Sequence, residues 1–154
     1  MKRLIVGITG ASGSVYAVRL IDVLREQGIE VHAVITESGE RVLAYECGVT
    51  MEALSRCVDV LYPNDDVGAA IASGSFRMDA MVILPCSMKT AGAIARGVTD
   101  DLLTRAADVT LKEGRPLLLV PRETPMHEIH LENLLRLARA GAIIMPAAPG
   151  FYHR

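Results

Sequence analysis

Hydrophobic residues in this chain come in short unbroken runs separated by stretches with helical spacing. Leu4-Ile5-Val6, Met81-Val82-Ile83-Leu84 and Leu117-Leu118-Leu119-Val120 contain no polar position, whereas a strand with one wet face would alternate. Continuous runs suit strands buried on both faces of a parallel sheet. The pattern predicts strands near residues 3–8, 30–36, 80–84, 116–121 and 142–145, with helices near 14–27, 38–47, 88–97, 100–113 and 126–140. Strands alternating with helices predict a doubly wound α/β sheet in a single domain, residues 1–154. Residues 49–75 are the least regular, with Pro63-Asn64-Asp65-Asp66 read as a turn and Ser73-Gly74-Ser75 as a small loop.

Composition narrows the picture. A length of 154 residues suits one packed domain, and with no tryptophan the core is aliphatic. A net charge of -2 argues against a general nucleic-acid binder. No apolar run approaches the roughly 20 residues of a membrane span, and the run after Lys2 and Arg3 is too short for a signal segment. Cys47, Cys57 and Cys86 are odd in number and lack a C-x-x-C pairing. Reduced thiols in a cytoplasmic protein are the expectation.

In open α/β sheets, ligands bind beyond the carboxyl ends of the strands, so the residues after each strand form the candidate site. After the first strand, Gly7-Ile8-Thr9-Gly10-Ala11-Ser12-Gly13 leads into a helix. Glycines let an anion approach the backbone, and a helix N-terminus favours negative charge. The spacing G-x-x-G-x-x-G is neither the dinucleotide fingerprint nor a P-loop, so tight packing without a ligand stays open beside phosphate binding. Thr36 and Glu37 follow the second strand; Pro85-Cys86-Ser87-Met88-Lys89-Thr90 follow the strand near 80–84. Ser87 reads either as an N-cap or as part of a phosphate seat, and strand-end position favours the seat. Arg105 and Lys112 share a helix face, with Asp101 and Asp108 each four residues before a cation, a spacing that favours surface pairing. Arg122 and Glu123, between two prolines, read equally as helix-start charges or as a phosphate cation and a proton carrier. Cys86 lacks an evident base, and His127 with His130 lacks a third ligand, so neither a catalytic thiol nor a metal site is expected.

Taken in order, these blocks, together with Ser73-Gly74-Ser75-Phe76, Arg105-Ala106-Ala107-Asp108-Val109, Leu111-Lys112-Glu113, Val120-Pro121-Arg122-Glu123-Thr124-Pro125 and Phe151-Tyr152-His153-Arg154, closely resemble the UbiX-type flavin prenyltransferases, once described as small decarboxylase subunits. The resemblance spans nearly the whole chain. It implies a Rossmann-like flavoprotein that joins a dimethylallyl group from dimethylallyl monophosphate to N5 and C6 of reduced FMN. The product is the prenylated FMN cofactor of UbiD-type decarboxylases, and no metal is implied. By position, Gly10, Ala11, Ser12, Thr36, Ser87, Met88, Lys89, Thr90 and Arg122 look like FMN contacts. Ser12, Glu123 and Lys112 look catalytic, and Arg105, Lys112 and Tyr152 look like the grip on the donor phosphate. The family also implies a large homo-oligomer, a dodecamer, with the site at subunit boundaries.

Two features depart from the family. Thr36-Glu37-Ser38 stands where Ser-Lys-Ala is common, and the sequence stops at Arg154, where members usually continue into a C-terminal helix with another phosphate-binding arginine. The expectation is a domain without that helix. Rival readings are an FMN-dependent decarboxylase of the phosphopantothenoylcysteine type, whose Asn-containing blocks are missing, and a non-catalytic flavin-binding partner of a decarboxylase. NAD binding is disfavoured by the glycine spacing.

Overall fold

The computed structural model describes residues 2–152; His153 and Arg154, the end of the last family block, lie outside the described residues. Six parallel strands are ordered β3-β2-β1-β4-β5-β6. They are β1 (Arg3–Ile8), β2 (Glu30–Ile35), β3 (Val60–Tyr62), β4 (Ala80–Cys86), β5 (Leu117–Pro121) and β6 (Ile143–Ile144). The expected strands are all present. β3 was not expected, because Val60-Leu61-Tyr62 is a three-residue, half-buried edge strand that gives too short an apolar run to read. The helices are α1 (Ser14–Glu26), α2 (Glu37–Cys47), α3 (Met51–Ser55), α4 (Met88–Arg96), α5 (Leu102–Lys112) and α6 (Glu128–Arg139). The irregular stretch thus holds a short helix, an edge strand and a 3-10 turn, Ala70–Ala72.

Helix faces follow from spacing. In α1 the buried positions are Ser14, Ala17, Ile21 and Leu24, a stripe three and four residues apart that lies on the sheet. With Leu43 of α2 and Leu54 of α3 it covers Val6, Ile8, Val31 and Ile35. On the opposite face, Ala91 and Ile94 of α4, Leu103 and Ala107 of α5, and Leu134 and Leu137 of α6 pack on Ile5, Met81, Ile83, Leu117 and Leu119. Burying a leucine of this kind contributes about 1.5–3 kcal/mol. Beside α1, a groove of about 650 Å³ runs over β4 and β5, lined by Leu20, Val82, Leu84, Leu118 and Val120.

Strand order reverses direction between β1 and β4, so a crevice opens beyond the carboxyl ends of these two strands. Pro85 and Cys86, expected to end the strand before them, belong to β4, and the register shifts between Ile83 and Cys86. That lengthening carries Ser87 to the rim of the crevice. Among the described residues no helix is long and apolar enough to cross a membrane.

Candidate functional site

Thr9 ties the two strand ends at the switch point. Its hydroxyl donates to the Pro85 carbonyl at 2.6 Å and accepts from the Ser87 N–H at 2.8 Å, and the side chain is 1% exposed. The glycine turn after β1 and the start of α4 are thereby held side by side. Gly13 takes φ 114° at the N-cap of α1, a conformation that favours glycine. Gly10 lies against Ser38, and a Cβ there would fall 2.6 Å from the Ser38 hydroxyl oxygen. The glycine therefore keeps the turn and the start of α2 in close approach.

Three helices present their N-termini to one cleft of about 390 Å³ lined by Thr36, Ser38, Asn64, Ser87, Thr90 and Asp101, among others. Each has a side-chain cap. Thr36 accepts from Gly39 N–H on α2, Ser87 from Thr90 N–H on α4, and Asp101 from Thr104 N–H on α5. Such caps contribute about 0.5–2 kcal/mol apiece, so the capping reading of Ser87 holds alongside its position in the cleft. Asn64 clamps the α5 end: its side chain donates to Asp101 at 3.1 Å and accepts from Leu103 N–H at 2.9 Å. The result is a polar cleft in which hydroxyls and helix N-termini, favourable to anions, stand among the cations Arg41 and Lys89 and the carboxylates Glu37, Asp100 and Asp101.

The glycine turn itself holds an anion from within the chain. One Glu46 oxygen accepts from the N–H groups of Gly13 and Ser14, both at 2.9 Å, and the other accepts from the Ser12 hydroxyl at 2.5 Å. The Ser12 hydroxyl, followed by the Gly13 and Ser14 amides, holds the Glu46 carboxyl below its ordinary range. The expected phosphate cradle after β1 is thus capped by a carboxylate from within the chain. Because its hydrogen is committed to Glu46, the Ser12 oxygen turns its lone pairs outward.

The comparisons with known proteins converge. The flavoprotein family pattern matches residues 1–151. The chain is 52% identical over 154 residues to the flavin prenyltransferase LpdB of Lactiplantibacillus plantarum, covering 99% of this chain and 82% of the relative. It is 51% identical to the flavin prenyltransferase UbiX of Escherichia coli K12, covering 100% and 82%. The chain belongs to the flavin prenyltransferase family. A crystal structure of AnUbiX with FMN and dimethylallyl pyrophosphate superposes at TM-score 0.97 and 44% identity, covering 98% of this chain and 80% of that one. A dodecameric FMN-dependent UbiX-like decarboxylase from Escherichia coli O157:H7 superposes at TM-score 0.95 and 45% identity, covering 97% and 82%. The fold is the Rossmann-like flavoprotein fold expected from the resemblance.

Of the family-type residues, Gly10, Ala11 and Ser12 lie in the turn, and Thr36, Ser87, Lys89 and Thr90 line the cleft. Met88 is buried, 8% exposed, and packs into the core beneath α4; its backbone, not its side chain, belongs to the helix start. Arg122 and Glu123 are exposed just past β5, where Glu123 accepts from Thr124 N–H at 3.0 Å. Arg105 and Lys112 do not line the cleft. Asp101 marks the cleft end of α5, so Lys112 lies about 16 Å away along the axis. Arg105 donates to the Ala72 carbonyl at 3.3 Å, beside Ser73-Gly74-Ser75, and pairs with Asp108 at 3.1 Å; Lys112 pairs with Glu113 at 2.9 Å. The pairings expected four residues apart are therefore replaced, because α5 starts at Leu102 and Asp101 serves as its cap. Tyr152 is largely exposed.

Sequence reasoning missed Glu46, Thr9 and Asn64. Glu46 is 34 residues from Ser12, and nothing local marks the contact. Thr9 carried a signal, a hydroxyl at the strand end inside the glycine turn. His127 caps α6 through its ring, which accepts from His130 N–H at 3.4 Å, and among the described residues no cluster suits a metal ion. Cys86 is free, and burial pushes its thiol up to about 12, which removes it as a nucleophile at neutral pH. At pH 8, a thiol reagent is expected to label Cys86 only after denaturation; labelling at native rates like those of Cys47 and Cys57 would contradict this.

Proposed function

We propose that the protein transfers a dimethylallyl group from dimethylallyl monophosphate to N5 and C6 of reduced FMN, yielding prenylated FMN for UbiD-type decarboxylases. The observation that carries the reading is the cleft of three capped helix N-termini next to the glycine turn, with the Ser12–Glu46 pair toward the other end of α2, in a chain of this family. Flavin fit is supported by the donor set of hydroxyls and helix-start amides around the cleft. The relative's complex contains the pyrophosphate form of the donor; the monophosphate is our proposal for this chain.

Reduced FMN supplies an electron-rich ring that accepts the five-carbon unit when bound. The donor's allylic carbon–oxygen bond breaks with its electron pair leaving on phosphate, and protons are exchanged at N5, C6 and the donor's double bond. Thr36, Ser87, Lys89 and Thr90 would hold the flavin phosphate, and Arg122 would flank the ring. The outward lone pairs of Ser12 accept a proton at the ring while the hydroxyl hydrogen moves to Glu46, a relay that the 2.5 Å contact supports. Glu123 is assigned the second proton transfer. Arg105, Lys112 and Tyr152 are assigned to neutralise the charge growing on the leaving phosphate.

Since α5 carries Arg105 and Lys112 away from the cleft of their own chain, we assign them to the cleft of a neighbouring copy. Apolar side chains at the surface support such contacts: Val15 is 59% and Tyr45 91% exposed beside the Ser12–Glu46 pair. A homo-oligomer, dodecameric as in the Escherichia coli O157:H7 relative, follows in this reading. Free cysteines and the lack of a spanning helix among the described residues support a cytoplasmic location. Purified protein is expected to quench FMN fluorescence with one site per chain and to ignore NAD; NAD binding in place of FMN would overturn the reading.

A further inference from the structure

We propose that Arg41 takes the flavin phosphate and that Glu37 is its built-in competitor, so that this pair sets the cleft's preference for a single-phosphate flavin. The inference rests on the cleft being the flavin seat. Charged side chains lining the cleft are Glu37, Arg41, Lys89, Asp100 and Asp101. Asp101 is already committed, accepting from Thr104 N–H at 2.8 Å, from the Thr104 hydroxyl at 2.6 Å and from Asn64 at 3.1 Å. The two cations are Arg41 on α2 and Lys89 at the start of α4.

Arg41 stands one turn into α2, behind the hydroxyls of Thr36 and Ser38. Its guanidinium donates to Glu37 at 3.0 Å, and the two side chains are 71% and 84% exposed. An ion pair this open to water is weak and readily exchanged. A phosphate dianion seated at the α2 N-terminus offers a guanidinium a better, two-oxygen partner than one carboxylate does. On exchange, Glu37 becomes an unpaired carboxylate at the rim, next to Asp100 and Asp101. A second phosphate, as in a dinucleotide flavin, would then face carboxylates with both cleft cations, Arg41 and Lys89, already engaged by the first. Glu37 thus weakens all phosphorylated flavins somewhat and the diphosphate-linked one most.

Calorimetric titration of FMN, riboflavin and FAD into wild type, Arg41→Gln, Arg41→Lys and Glu37→Gln tests this. All the substitutions lie on an exposed helix surface, and circular dichroism checks the fold. The FMN-to-riboflavin affinity ratio is expected to fall about tenfold in Arg41→Gln and to recover in part in Arg41→Lys. Glu37→Gln is expected to tighten FMN by about threefold or more and FAD by a larger factor. An unchanged ratio in Arg41→Gln, or weaker FMN binding in Glu37→Gln, overturns the proposal while leaving the flavin seat intact. Equal wild-type affinity for FMN and riboflavin would instead overturn the phosphate reading of the cleft itself, and this proposal with it.

Discussion

Replacing Glu46 by Gln is expected to slow prenyl transfer by about 10²–10³-fold while changing FMN affinity only a few-fold. The cause is the direction of one hydroxyl. Glu46 accepts at both oxygens, from Ser12 on one and from the Gly13 and Ser14 amides on the other. A Gln side chain keeps its carbonyl for the two amides and turns its NH₂ toward Ser12, so Ser12 must accept where it had donated. One of its lone pairs is then taken, and the proton has no carboxylate to reach. Ser12→Ala is expected to give a similar loss, because the amides that shape the turn survive it. The wild-type rate is expected to have an acidic limb set by Glu46, since only the carboxylate can receive the proton. Its carboxyl is held below the ordinary range by the Ser12 hydroxyl and the turn amides. The contact is therefore present above that range and lost as pH falls through the depressed value, and the limb is expected to vanish in Glu46→Gln. Rates measured against pH, beside FMN quenching, separate this from a structural role, which would reduce both together.

The second large effect concerns the shared site. Ser12→Ala and Lys112→Ala proteins are each expected to be nearly inactive, the first at the ring and the second at the donor phosphate. If one subunit supplies Ser12 and another supplies Lys112, mixed oligomers reassembled from both variants contain intact sites. With random mixing, about a quarter of sites carry both native residues, so about a quarter of wild-type activity is expected to return. Activity that stays at the level of the single variants would place both residues in one subunit's site. The α5 geometry, with Lys112 at the far end from the Asp101 cap, argues for the shared arrangement.

Much of the fold was legible because buried parallel strands leave unbroken apolar runs, and all the expected strands are present. β3 was hidden by its length and by its place at the sheet edge, where burial is incomplete and the pattern weakens. Thr36 and Ser87 were legible as cleft-lining residues because the sheet rule points to whatever follows a strand. Asp101 was misread: spacing alone allows both an ion pair with Arg105 and a cap on Thr104, and the start of the helix decides between them. Glu46 was not legible at all, since it looks like one more acid on an exposed helix surface. Only the packing of α2 beside α1 brings it to the turn. The same packing showed that the glycine turn, which reads as a phosphate cradle, is capped from within.

In the proposed reaction this chain prenylates reduced FMN with cations of its own at the donor phosphate. Its most direct test is an anaerobic reaction of the FMN-loaded oligomer with dithionite-reduced FMN and dimethylallyl monophosphate in the presence of a chelator, read by mass spectrometry of the released flavin. The expected product is a flavin heavier by one five-carbon unit, formed at the same rate with and without chelator and suppressed by Lys112→Ala. Recovery of unmodified FMN alone from an oligomer that binds both reactants would contradict it.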